Sequence, residues 1–137
     1  MPLPTPHEAI IYLMVITSAA DRDMTDLELS RIGEVVKSWP IFADFDPDRL
    51  VAVARDCQAL LQKPGSLNKM LTDAARAIPV HLHDTAYAAA FEVAAVDLEM
   101  RMEEARVLQM LRAHLEAEPE VFGAVERAAK ARHRTLT

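Results

Sequence analysis

The stretch from Ala9 to Ala20, AIIYLMVITSAA, carries no charged side chain and offers no continuous polar face at any helical spacing. Such a segment must be hidden on every side. Twelve residues rise only about 18 Å as a helix, whereas a bilayer core needs about 20 residues, so a membrane span is excluded. The remaining solution is a helix enclosed by other helices of the same chain. Thr5-Pro6-His7-Glu8 supplies its start: Thr5 can accept from the third helical amide, Pro6 suits the first helical position, and Glu8 can reach back. A helix over about 7–20 is therefore expected at the centre of the molecule.

The rest of the chain supplies the shell. Thr25-Asp26-Leu27-Glu28 is a second capping box, opening a helix over about 26–38 with Leu29, Ile32, Val35, Val36 and Trp39 on one stripe, closed by Pro40. Asp46-Pro47 caps a third helix, whose stripe contains Leu50, Val53, Ala54, Cys57, Leu60 and Leu61. Pro64-Gly65-Ser66 breaks the chain, and Ser66 is the expected cap of a fourth helix ending before Pro79. A fifth, over about 82–97, holds the small-residue run TAYAAAFEVAA and belongs in the centre. A sixth and a seventh, over about 101–115 and 119–133, complete the set. Hydrophobic residues make up 51% of the chain and aromatics 5%, with 3 glycines, a balance that favours helix over strand. The expected fold is all-α, about seven helices, in one domain over residues 1–137.

The formal net charge of −6 argues against nucleic acid as a partner, since phosphate contacts need clustered Lys and Arg. It suits cations or basic partners. Cys57 is the single cysteine, which rules out an intramolecular disulfide and a Cys-rich zinc site and is compatible with a cytoplasmic location. No basic leader precedes an apolar run, so no signal peptide is expected. Cys57 lies within an apolar stripe and reads as a core thiol. No Walker loop, dinucleotide-binding glycine pattern or nucleophile–base motif is present, and acids at helix starts are solvated, so the chain reads as a non-enzyme with no organic cofactor.

Shifting the sequence against itself by 76 positions sets His7–Trp39 beside His83–Leu115. Asp21 then faces Asp97, Asp23 faces Glu99, Met24 faces Met100 and Glu28 faces Glu104. Each copy is an apolar helix, an acidic bend and an amphipathic helix. Two helical hairpins about an approximate two-fold axis are expected, with the first and fifth helices side by side and both bends at one end.

The bends, Ala20-Asp21-Arg22-Asp23…Glu28 and Val96-Asp97-Leu98-Glu99…Glu104, together with the seven-helix layout, resemble the TerB family associated with tellurite resistance, including the TerB-like N-terminal domain of DjlA-type co-chaperones. Members commonly have Gly after the Asp, where this chain has Arg22 and Leu98. The resemblance implies a divalent-cation site at the bends and a role in a bacterial stress response, with partner proteins at the inner face of the membrane. Hard oxygen donors suit Ca²⁺ first and Mg²⁺ second, so the candidate ligands are Asp21, Asp23, Glu28, Asp97, Glu99 and Glu104. The spacing lacks the sixth-position glycine and twelfth-position glutamate of an EF-hand.

Local electrostatics competes with that reading. Asp26 and Glu28 suit the positive start of a helix, and Glu28 is accounted for by Thr25. Arg101 stands where Thr25 stands in the first copy and cannot accept from amides, so capping leaves Glu104 unexplained. Met100 and Met102 read as packing material beside the bend. His81 and His83 are two apart and mark a helix start rather than a metal pair. Arg127, Lys130, Arg132 and Arg134 suit a helix C-terminus, with contact to anionic lipid as the weaker reading. A metal-free adaptor or co-chaperone-like module is the alternative function.

Overall fold

A computed structural model describes residues 3–19, 24–95 and 101–136. It contains seven α-helices: α1 (Pro6–Ser18), α2 (Asp26–Ser38), α3 (Leu50–Leu61), α4 (Ser66–Ala77), α5 (His83–Ala95), α6 (Met102–His114) and α7 (Pro119–Arg132). Short 3₁₀ turns at Pro40–Phe42, Pro47–Arg49 and Val80–Leu82 connect some of them, and no strand occurs among the described residues. The all-α fold expected from the sequence is present.

α1 is enclosed as its composition demands. Every residue from Ala9 to Ser18 is buried except Tyr12, and α1 packs against α5, α3 and α4 in particular. The central pair is α1 and α5. On α5 the alanines Ala86, Ala89, Ala90 and Ala94 are fully buried, which lets neighbouring backbones come close, and α7 covers its far side. The buried apolar side chains of all seven helices join into one cluster. At roughly 1.5–3 kcal/mol for each large apolar side chain, this burial is the dominant favourable term.

Both N-terminal boxes form as read: the amide of Glu8 donates to Thr5 Oγ1 at 3.2 Å, and the Thr5 amide donates to Glu8 Oε1 at 2.9 Å. Two boundaries differ. Asp46 caps a 3₁₀ turn that runs on into α3, because Pro47 fixes φ for a tight first turn. Ser66 is not the cap of α4; Gly65 holds that place with φ of 71°, a left-handed conformation that glycine adopts without a Cβ penalty. Cys57 is fully buried, and burial pushes its thiol well above the usual range, as expected of a core residue.

Candidate functional site

The two helix starts that follow the bends meet at one end of the bundle. At α2, Thr25 Oγ1 accepts from the Glu28 amide at 3.1 Å, and Glu28 Oε1 accepts from the Thr25 amide at 2.9 Å. This box turns the Glu28 side chain inward, leaving the residue 7% exposed. At α6, Glu104 is 3% exposed, and its Oε1 accepts from the Arg101 amide at 3.1 Å and from Arg101 Nε at 3.2 Å.

Arg101 ties the two starts together. Its Nη2 donates to the Ser18 carbonyl at the end of α1, at 2.9 Å, and lies 3.6 Å from Glu28 Oε2. One guanidinium thus serves an orphan carbonyl of α1 and both buried carboxylates, a task that its planar fork suits better than an ammonium would.

Glu104 therefore has a local partner that the sequence reading withheld. Arg101 cannot supply the hydroxyl half of a capping box, but its amide still donates to Glu104, and its side chain adds an ion pair. Met102 is likewise not packing material: it is 84% exposed, because the inward-facing positions of this turn are taken by Arg101 and Glu104. Of the six candidate ligands, the structure brings Glu28 and Glu104 together around Arg101. Asp21, Asp23, Asp97 and Glu99 lie outside the described residues, as does Met100. Among the described residues, no group of three or more His, Cys, Asp or Glu is placed to hold a metal ion.

Two of the histidines, His83 and His7, are architectural. His83, buried at the start of α5, donates from Nε2 to the carbonyls of Ile78 at 2.8 Å and Ala75 at 3.1 Å, while its Nδ1 accepts from the Glu116 amide at 2.9 Å. Those partners fix the neutral Nε2–H tautomer and link the end of α4 to the segment after α6. His7 donates to the Ile41 carbonyl at 2.8 Å and packs against Phe42 and Phe45. His81 is exposed in a 3₁₀ turn.

Two polar clusters were not anticipated. Tyr87 donates to Glu126 Oε2 at 2.7 Å and accepts from Arg112 Nε at 3.0 Å, with Arg112 also paired to Glu126. Glu92 on α5 receives Arg132 and His133. The only sequence signal for either was a Tyr or Glu interrupting the apolar run of α5. Arg132, assigned from sequence to the helix dipole, is thus held by Glu92, which pins the end of α7. No described helix is long and apolar enough to cross a membrane.

Comparison of the chain with protein-family models, with curated proteins and with solved structures finds no significant match.

Proposed function

We propose that this chain is a non-catalytic, TerB-like helical domain of a bacterial stress response that binds a divalent cation, Ca²⁺ ahead of Mg²⁺, through the end carrying both acidic bends. The observation that carries this reading is the Arg101 bridge, which draws the start of α6 against the end of α1 and the start of α2. Asp21 and Asp23 follow Ser18 by three and five residues, and Asp97 and Glu99 precede Arg101 by four and two, so all four are near in sequence to residues that this bridge joins. Glu28 and Glu104 already accept from amides and face Arg101, so on this reading Asp21, Asp23, Asp97 and Glu99 are the leading ligands. The tellurite and stress-response setting rests on the resemblance of the bends and the helix layout to the TerB family, as does a cytoplasmic location with a partner near the membrane.

Isothermal titration with Ca²⁺, Mg²⁺, Mn²⁺ and Zn²⁺ tests the reading. Ca²⁺ should bind and raise the melting temperature, and Asp21→Asn combined with Asp97→Asn should abolish both effects. No heat and no stabilisation at millimolar metal would end the metal claim.

A metal-free adaptor is the second reading, and a separate observation favours it. Leu27 and Met102, 61% and 84% exposed, stand at the same two helix starts and place apolar tips beside an acidic end, as a basic amphipathic partner requires. On that reading Leu27→Ser with Met102→Ser reduces partner recovery in pull-downs, while the response to metal is unchanged.

A further inference from the structure

A furrow opens on the face of the molecule formed by α1, α3 and α4. α3 and α4 each pack on α1 but only sparsely on one another, which leaves a cavity of ≈ 520 Å³ between them, closed at one end by the turn that carries Gly65. That volume lies within the range of small-molecule sites. Its apolar surface comes from Leu3, Tyr12, Leu60 and Met70.

The charged residues around it are mostly engaged. Glu8 is bound by the Thr5 amide and pairs with Arg49 at 2.9 Å, and Asp73 pairs with Lys69 at 2.7 Å. Among the polar groups that line the furrow, the Asp56 carboxylate, the Lys63 ammonium and the half-buried Tyr12 hydroxyl have no such partner among the described residues. Ionisation of Tyr12 is pushed up by burial first, with the negative charges of Asp56 and Glu8 adding to it, so this end of the furrow favours a positive group.

Asp56 and Leu60 stand at i and i+4 on one face of α3, and Lys63 follows two residues after its end, with its amide donating to the Leu60 carbonyl at 3.2 Å. The backbone keeps a right-handed helical conformation through the capping residue Gln62, so the rise from Asp56 to Lys63 is about 10 Å, and the α3 face with the turn after it presents acid, apolar surface and base along that length. A complementary molecule has an ammonium at one end, a carboxylate at the other and an apolar middle. Three extended residues of peptide also span about 10 Å.

We propose that the α1–α3–α4 furrow binds a short zwitterionic chain, an apolar tripeptide or an ω-amino acid, with its ammonium at Asp56 and the Tyr12 hydroxyl and its carboxylate at Lys63. The site is separate from the acidic bends and does not depend on them.

Titration of the full chain with 8-aminooctanoate, Leu-Leu-Leu, octylammonium and octanoate, followed by isothermal calorimetry, tests the proposal and distinguishes the two ligand sources. The two-ended molecules should bind, one or both, and the one-ended ones at least about fivefold more weakly, the loss expected for one partly solvated charge contact. Asp56→Asn and Lys63→Gln should each weaken the two-ended ligand by a similar factor, and Tyr12→Phe should weaken it less, with circular dichroism melts confirming that each variant folds. Equal binding of octylammonium and 8-aminooctanoate, insensitivity to both charge substitutions, or no binding of either two-ended ligand at millimolar concentration would overturn it. Asp21→Asn with Asp97→Asn serves as the control and should leave this binding unchanged.

Discussion

Replacing Arg101 by Met removes the guanidinium but keeps an unbranched apolar stem of similar reach. Two carboxylates, on residues 7% and 3% exposed, then lose the guanidinium that faces both, and the Ser18 carbonyl loses a donor. Breaking a fully buried pair costs about 3–5 kcal/mol, while an exposed pair is worth about 1 kcal/mol or less. The Arg101 side chain is 28% exposed and the Glu28 contact is long at 3.6 Å, so the expected cost lies between these limits, about 2 kcal/mol. For a chain of this length that corresponds to a fall in melting temperature of about 6 °C. Differential scanning calorimetry at neutral pH and low salt measures it. A triple variant, Arg101→Met with Glu28→Gln and Glu104→Gln, should recover part of the loss, because it also removes the two buried charges that the guanidinium faces. A melting temperature for Arg101→Met within about 1 °C of the parent, or a triple variant less stable than the single one, would refute the claim that the guanidinium holds the two helix starts together.

Three further outcomes are expected. Glu8→Gln should cost about 1 kcal/mol at pH 7. The carboxyl of Glu8 is held below its ordinary value of 4.5, first by the Thr5 amide and further by Arg49, so its contribution is present above that value and lost as pH falls through the lower folded one. Denaturation curves of parent and variant should therefore converge as acidification passes below that lowered value. His83→Ala leaves the Glu116 amide and the Ile78 carbonyl without their side-chain partner and should cost about 2–4 kcal/mol by urea titration, far more than His81→Ala at an exposed site. Cys57, whose thiol is pushed up by burial, should resist a soluble disulfide reagent in the native state and react fully in denaturant, and labelling at the same rate in both would contradict its position.

The helices were legible because their signals are local. Thr5 and Glu8, or Thr25 and Glu28, are three residues apart and meet whenever a helix begins there, and the stripe Ile32, Val35 and Val36 is buried because it falls on one face. Met102 misled the reading for the converse reason. A methionine beside apolar neighbours looks like packing material, yet rotation about the helix axis decides exposure, and Arg101 and Glu104 had taken the inner positions of that turn. Glu104 misled it because an Arg in the Ncap position was judged only by what its side chain cannot accept, whereas its backbone amide donates like any other.

The sequence by itself determined the all-α class, the seven helices, the central place of α1 and α5 and the core role of Cys57, since capping and periodicity act within a few residues and burial follows from them. Only the tertiary structure decided which polar groups meet. Arg101 reaches Ser18 across 83 positions, the Glu116 amide reaches His83 across 33, and Arg132 reaches Glu92 across 40. No short-range pattern encodes such pairs. They form because helix packing brings the ends of distant segments together, and a buried polar atom left there without a partner costs more than the hydrogen bond that satisfies it returns.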